Sequence, residues 1–169
     1  MLALAGAVLW AVLLPLAAWA VQEDAALAWR GLGLLVYRFA AAVCHQLPER
    51  SFSLGAVQLP VCARCTGLYW GAAAMVLMAT GALRSGLATP RGRSRDGSFW
   101  WVVGASPIRL LALAALPTAI TLVYEWLTGQ DPGNWVRAAA GGPLGAAVMS
   151  ALVNEAAAGD VAPRGAKVN

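Results

Sequence analysis

Long apolar stretches separated by short polar segments dominate the chain. Residues 2–21 carry no charged side chain, and residues 66–83, 100–127 and 136–153 are nearly as apolar. About twenty apolar residues in a helix cross a hydrocarbon core of roughly 30 Å. The pattern therefore predicts four main membrane spans at these positions.

Residues 25–43 form an apolar segment of a different kind. The segment contains Arg30 and Arg38, and Leu34 falls between them on a helical projection, so the segment lacks a clean polar face. We predict a partly embedded helix here. The alternative is a fifth span, which would need partners for both guanidinium groups.

The segment that follows interrupts the helical pattern. Residues 47–60 contain two prolines and Gly55, which favour a re-entrant or surface loop. The predicted fold class is therefore all-α: a polytopic transmembrane helical bundle of four main spans, a partly embedded helix and a re-entrant or surface loop carrying cysteine and histidine. A single bundle domain is expected over residues 1–155, with a flexible cytoplasmic tail over 156–169.

Composition supports a membrane protein. Hydrophobic residues make up 60% of the chain and charged residues 12%, whereas charged residues are about 25% of ordinary soluble domains. We therefore expect contact with membrane lipid. The net charge of +4 does not indicate nucleic-acid binding, because the arginines are not combined with aromatic residues on a solvated face.

The distribution of arginine predicts the orientation in the membrane. Residues 84–98 contain four arginines and only Asp96 opposing them, which is typical of a cytoplasmic loop. One predicted span, residues 66–83, separates this loop from the cysteines that precede it. We therefore expect a multi-pass protein of the cell inner (cytoplasmic) membrane with its cysteine cluster on the non-cytoplasmic side.

Pairs of glycines four residues apart mark two of the predicted spans. Gly67 and Gly71 lie on one face of the second main span, and Gly141 and Gly145 lie on one face of the last. Small residues at this spacing allow helices to approach closely. The contact is either packing within the bundle or the seam of a homo-oligomer, and a membrane protein partner is a further option.

All three cysteines and the only histidine lie in one short region. Cys44, His45, Cys62 and Cys65 together form a set of four donors of the types that bind zinc or iron–sulfur centres. The Cys62-x-x-Cys65 spacing allows two sulfurs to chelate one metal. Because neighbouring residues in an extended segment point apart, Cys44 and His45 can share one ion only where the backbone bends.

Three interpretations of this cluster remain open. A Cys3His metal site holding zinc or an iron–sulfur centre uses all four donors. A membrane thiol/disulfide oxidoreductase would use Cys62-x-x-Cys65, with the third cysteine as a resolving thiol. A structural disulfide, in a structural or assembly subunit of a membrane complex, would use two of the cysteines without chemistry.

Several polar residues are expected to gather with the cluster at the outer face. The third span, entering from the cytoplasm, brings Glu125 to that side, and ionisable groups at membrane depth are functional candidates because they are costly to hold there. Arginines near thiols favour the thiolate form. The supporting residues predicted on this basis are Glu49, Arg50, Arg64, Tyr69, Glu125, Asn134 and Arg137.

A run of motifs around the cysteines resembles the signature of the predicted membrane proteins called domain of unknown function 2085. The matching residues are Cys44-His45-Gln46, Pro48-Glu49-Arg50-Ser51-Phe52 and Pro60-Val61-Cys62-Ala63-Arg64-Cys65-Thr66-Gly67, with Tyr69 and Gly71. The helix pattern and Asn134, Arg137, Gly141 and Gly145 look similar in the second half of the chain. The resemblance implies a small polytopic bacterial or archaeal membrane protein and points to the site rather than to a reaction.

Overall fold

Helices account for most of the chain in the computed structural model, which describes residues 2–22, 26–84 and 106–159. Within these ranges there are five α-helices: α1 (Leu2–Ala20), α2 (Leu27–Ala41), α3 (Ala63–Arg84), α4 (Pro107–Thr128) and α5 (Asn134–Gly159). The segment between α2 and α3 contains a 3-10 helix (Pro48–Arg50) and two short antiparallel strands, β1 (Ser53–Leu54) and β2 (Val57–Gln58). The predominantly helical fold predicted from the sequence is confirmed.

Two of the described helices are long and apolar enough to cross a membrane. They are α4, over Pro107–Thr128, and the part of α5 over Asn134–Glu155. In α1, the apolar stretch Leu4–Ala20 is shorter than a full span. The arrangement of four main spans therefore stays a prediction.

A tight turn makes α4 and α5 an antiparallel pair. Gly129 ends α4 in the left-handed conformation (φ 66°), and its N–H donates to the carbonyl of Glu125 at 2.9 Å. Gly133 also has a positive φ of 85°, and its N–H donates to Oδ1 of Asp131 at 2.6 Å. The last turn of α4 and the first turn of α5 consequently lie side by side.

The closest helix contact is between α3 and α5. A side-chain carbon placed on Gly67 or Gly71 would collide with the backbone of Ala138 or Gly142, and one placed on Gly145 would collide with the backbone of Leu68. Only glycine allows this approach. The two glycine pairs are thus used for packing within the chain, and they do not offer a homo-oligomer seam to a second copy.

Away from this contact, α1 packs on α3 through apolar side chains. Met75, Val76 and Met149 form a buried cluster with Ala72, and Val8 of α1 packs against it. Many large apolar side chains on the outside of the helices remain exposed, among them Ile120 and Trp126 of α4. Exposed apolar surface on this scale is typical of helices that face lipid.

The structure refines the bounds of individual elements. The helix α5 continues to Gly159, and the flexible cytoplasmic tail over 156–169 stays a prediction. The loop over residues 47–60 contains the β1–β2 hairpin, so the fold is not purely helical. The predicted cytoplasmic loop after Arg84 and the last ten residues of the tail lie outside the described residues.

Candidate metal centre

The three cysteines of the chain converge at one end of the helices. The Sγ atoms of Cys44, Cys62 and Cys65 all lie within 4.8 Å of one another. All three thiols are free and half-buried, so no disulfide joins them. Sulfur ligands in a tetrahedral zinc site lie roughly 3.8 Å apart, because each Zn–S bond is about 2.3 Å. The donor set and its spacing therefore fit a soft metal ion.

Helix ends hold these sulfurs in place. Cys44 follows α2, and its N–H donates to the carbonyl of Ala40 at 2.9 Å. Cys62 immediately precedes α3, and Cys65 lies in the first turn of that helix. The N–H of Cys62 donates to Sγ of Cys44 at 3.1 Å. Hydrogen bonds of this kind stabilise the thiolate form that binds metal.

A glutamine network braces the loop between Cys44 and Cys62. Gln46 has a positive φ of 51°, which is uncommon for a residue other than glycine and reverses the chain direction just after the first cysteine. Its Nε2 donates to the carbonyls of Tyr37 at 2.9 Å and Pro60 at 2.7 Å. Gln58 donates back to the carbonyl of Gln46 at 3.0 Å, and the hydroxyl of Tyr37 donates to the carbonyl of Gln58. These bonds tie the end of α2 to the start of α3.

The structure does not bring His45 into the group of three sulfurs. Its side chain is exposed, whereas the ligand atoms that converge are those of the three cysteines. Cys44 is half-buried and its sulfur joins the group, while the neighbouring histidine lies at the surface. His45 still lines the same small cavity as the cysteines. A metal on the three sulfurs would thus keep a fourth position free for another ligand.

The sulfurs also differ in acidity. The hydrogen bond from the Cys65 thiol lowers the pKa of Cys62 to about 5 from an ordinary value of 9.0, with help from the backbone N–H groups of Arg64 and Cys65 and against the effect of burial. The lowered pKa favours the thiolate form of Cys62. A thiolate is both the form that ligates metal and the nucleophile of disulfide exchange.

Beside the sulfurs, arginines from three segments surround a single carboxylate, that of Glu125. Arg64 Nη2 lies 2.5 Å and Arg137 Nε lies 3.1 Å from Glu125 Oε1, and Arg50 Nη1 lies 3.8 Å from Oε2. Arg137 also contacts Asp131 Oδ1 at 3.0 Å through Nη1. The side chain of Arg137 is only 3% exposed and that of Glu125 only 12%, so this central pair is largely desolvated, whereas Arg50 and Asp131 at the edge of the network are about half exposed.

Asn134 and Tyr69 connect the site to the rest of the fold. The Nδ2 of Asn134 donates to the carbonyl of Ser51 at 3.0 Å, which fastens the loop onto the start of α5. Tyr69 packs edge-on against Trp10 of α1, with ring centroids 6.1 Å apart, below the sulfurs of Cys44 and Cys65. Glu49 is exposed on the 3-10 helix.

A cavity of about 190 Å³ joins the two clusters. It is lined by Val43, Cys44, His45, Leu47, Arg50, Cys62, Arg64, Cys65 and Arg137. One wall is formed by sulfur and the other by guanidinium groups. The structure therefore places the predicted metal ligands and the predicted basic residues around one space.

Sequence reasoning missed several residues that shape this site. Gln46 and Gln58 of the loop and Tyr37 of α2 brace this region, yet single neutral polar residues give no spacing signal. Asp131 is not among the predicted site residues, although it is a partner of Arg137. Its position between Gly129 and Gly133, six residues before that arginine, was the available clue.

Comparisons with known proteins agree with a membrane assignment. The sequence model of a family described as "Predicted membrane protein (DUF2085)" matches residues 44–151, which is more than half of the chain. A protein of Methanocaldococcus jannaschii called "Uncharacterized protein MJ1492" is 40% identical over 43 residues, covering 25% of this chain and 28% of the relative. A protein of Methanothermobacter thermautotrophicus called "Uncharacterized protein" is 57% identical over 30 residues, covering 18% of this chain and 27% of the relative.

The alignments with these relatives are short. The chain spans about a quarter of the length of each of these two curated relatives. No solved structure matches it.

Proposed function

Because the chain belongs to the family of predicted membrane proteins called DUF2085, we propose that it is a multi-pass inner-membrane protein that holds a metal centre at its non-cytoplasmic face. The ligands are Cys44, Cys62 and Cys65. The observation that carries this proposal is the convergence of three free thiols within 4.8 Å from two separate segments of the chain.

The chemistry of the donors indicates which metals fit. Thiolate sulfur favours zinc and iron–sulfur centres over magnesium or calcium, which prefer oxygen. Three protein ligands leave the fourth position to His45, after rotation of its exposed side chain, or to an exchangeable ligand. A metal with an exchangeable position acts as a Lewis acid toward a bound molecule, whereas a closed site would only pin the loop to α3.

The direction of α3 supports the outer location. This helix has Cys65 in its first turn and Arg84 at its last residue, and its 22 residues extend about 33 Å at 1.5 Å per residue. Arginines of the segment that begins at Arg84 favour the cytoplasmic side. The cysteine end of the helix then lies at the other face of the membrane.

Metal analysis of the purified protein tests the centre directly. We expect about one equivalent of zinc, or iron with acid-labile sulfide, because three convergent thiolates bind such metals tightly. Cys62→Ser should lose nearly all of it, since a serine hydroxyl does not replace a thiolate. The matched control is Glu49→Gln, an exposed neighbour that should retain the metal. Folded, metal-free wild type would contradict the proposal.

His45→Ala in the same assay assigns the fourth position. Loss of metal would make His45 a ligand, and retention would leave the position to an exchangeable ligand. Either result concerns only this position, because the three sulfurs are tested separately by Cys62→Ser.

A thiol/disulfide oxidoreductase is the second candidate function, and the lowered pKa of Cys62 favours it. Such a protein would exchange disulfides through Cys62, with Cys65 as the partner thiol. Trapping of free thiols in intact cells separates the candidates. A metal site gives three reduced cysteines protected until a chelator is added, whereas an oxidoreductase gives a reversible mixture of dithiol and disulfide.

Labelling of single introduced cysteines tests the orientation. Glu49→Cys, beside the cluster, should react in whole cells with a maleimide that does not cross membranes. Ser94→Cys, within the arginine-rich segment, should react only after lysis, because that segment is expected to be cytoplasmic. Wild type measures the background from the native cysteines, and the reverse pattern of labelling would place the cluster inside the cell.

A further inference from the structure

The cavity between the sulfurs and the arginines is suited to a negatively charged ligand. Its volume of about 190 Å³ corresponds to roughly six water molecules at about 30 Å³ each. That is enough space for a phosphate group and too little for a large molecule. Arg50, Arg64 and Arg137 all line it.

One of these arginines has an unused donor. The Nε of Arg64 is buried and has no hydrogen-bond partner within the described ranges 2–22, 26–84 and 106–159. Its Nη2 is already used by Glu125 and, at 3.5 Å, by Thr121. Buried N–H donors are nearly always paired in native proteins, so the Arg64 guanidinium keeps hydrogen-bonding capacity that the described residues do not satisfy.

The charges of the arginine wall are not balanced. Three guanidinium groups share the carboxylates of Glu125 and Asp131, which leaves one positive charge in excess. Arg50 contacts Glu125 only at 3.8 Å, and its side chain is 46% exposed. Its donors are therefore available to a ligand that enters from the surface.

The negative charge of the sulfur wall affects how tightly an anion can bind in the cavity. Each thiolate in the sulfur wall adds a negative charge that repels an anion, whereas a divalent metal bound there offsets two such charges. The highest affinity for an anion therefore requires the proposed metal centre. The position of the arginines around the cavity does not require a bound metal.

We infer that this cavity binds a small oxyanion of the phosphate type, held by the guanidinium groups of Arg50 and Arg64 opposite the sulfur cluster. Planar guanidinium groups pair with phosphate oxygens through two parallel hydrogen bonds, which gives both strength and geometry. The same chemistry is offered by a free phosphate compound and by a lipid headgroup at the membrane surface. The ligand class of the site is thus an anion that carries its charge on oxygen.

Titration of inorganic phosphate into the purified, metal-loaded protein in detergent, followed by calorimetry, tests the inference. We expect saturable binding that Arg50→Gln weakens at least about tenfold, because a charge-assisted pair is lost. Arg64→Lys keeps the positive charge but removes the Nε donor, and it should weaken binding to a similar extent. Arg109→Gln, an exposed arginine near the opposite end of α4, is the matched control and should bind like wild type.

Nanodiscs distinguish the two sources of the ligand. If a headgroup fills the cavity, phosphatidic acid added to a phosphatidylcholine bilayer will weaken phosphate binding at least about tenfold by competition. If the ligand is a free compound, the lipid will have no effect. Both outcomes support the cavity, whereas absent binding, or equal binding by Arg50→Gln and Arg109→Gln, would overturn the inference.

Metal content measured on the same samples separates this inference from the proposed function. Metal-loaded protein that does not bind phosphate overturns the inference alone. If metal-free protein binds phosphate and Arg50→Gln weakens this binding, the result supports the anion cavity and contradicts the metal centre.

Discussion

Replacement of Glu125 by glutamine is expected to destabilise the protein by about 4 kcal/mol, because removal of one partner leaves buried charges without compensation. Glu125 is the shared counter-ion of Arg64 and Arg137, whose side chains are 17% and 3% exposed. Glutamine preserves the shape of the side chain and removes only its charge. The decrease in the free energy of unfolding therefore reports the lost electrostatic interactions and not a change in packing.

Thermal unfolding in detergent measures this effect. A loss of that size should lower the Tm by roughly 10 °C in a chain of this length. Glu49→Gln makes the same chemical change on an exposed residue and should leave the Tm unchanged. A double variant with Arg137→Gln should lose less than the sum of the single changes, since the two residues contact each other. Strict additivity would contradict the ion network.

Replacement of Gly145 by alanine is the second change with a large expected effect. The added methyl group would collide with the backbone of Leu68 in α3. A side chain can rotate out of the way, but backbone cannot, so α3 and α5 would have to separate. Overpacking of this kind costs about 3 kcal/mol. This contact is the most extensive between two described helices, so the whole bundle should be affected.

The control for this substitution is Gly6→Ala in α1. A methyl group at Gly6 meets nothing within 4 Å, and alanine favours the helix over glycine by up to about 1 kcal/mol. Gly6→Ala should therefore unfold at the same temperature as wild type or slightly higher. Equal melting temperatures for Gly145→Ala and Gly6→Ala would show that α3 and α5 are not in backbone contact.

The general architecture could be predicted from the sequence because it depends on patterns that span many residues. Apolar stretches of about twenty residues are unambiguous, and the helices α1, α3, α4 and α5 lie close to the predicted positions. The convergence of Arg64, Glu125 and Arg137 is also predictable, because consecutive spans run in opposite directions. The starts of α3 and α5 and the end of α4 therefore lie at the same end of the bundle. These predictions remain correct even when the predicted end of a helix is misplaced by a few residues.

The details of the site depend on single dihedral angles, which no pattern in the sequence specifies. Cys44 and His45 are adjacent in the chain, yet only the cysteine joins the sulfur group, because neighbouring residues can point in different directions. The end of α5 likewise depends on local residue preferences. Residues 156–158 are alanines, which favour helix strongly, and they extend α5 although no apolar periodicity requires it.

The backbone contact between α3 and α5 has a consequence for how the cavity accommodates its contents. Gly141 approaches the carbonyl of Arg64, and Gly67 approaches the backbone of Ala138, so the helix starts that carry Cys65 and Arg137 are locked to each other at the cavity itself. The sides of the cavity formed by these two helices cannot move apart unless this backbone contact is broken. Any widening on entry of a molecule must therefore come from the segment between Cys44 and Cys62, and it must strain the hydrogen bonds of Gln46 and Asn134 that hold this segment in place.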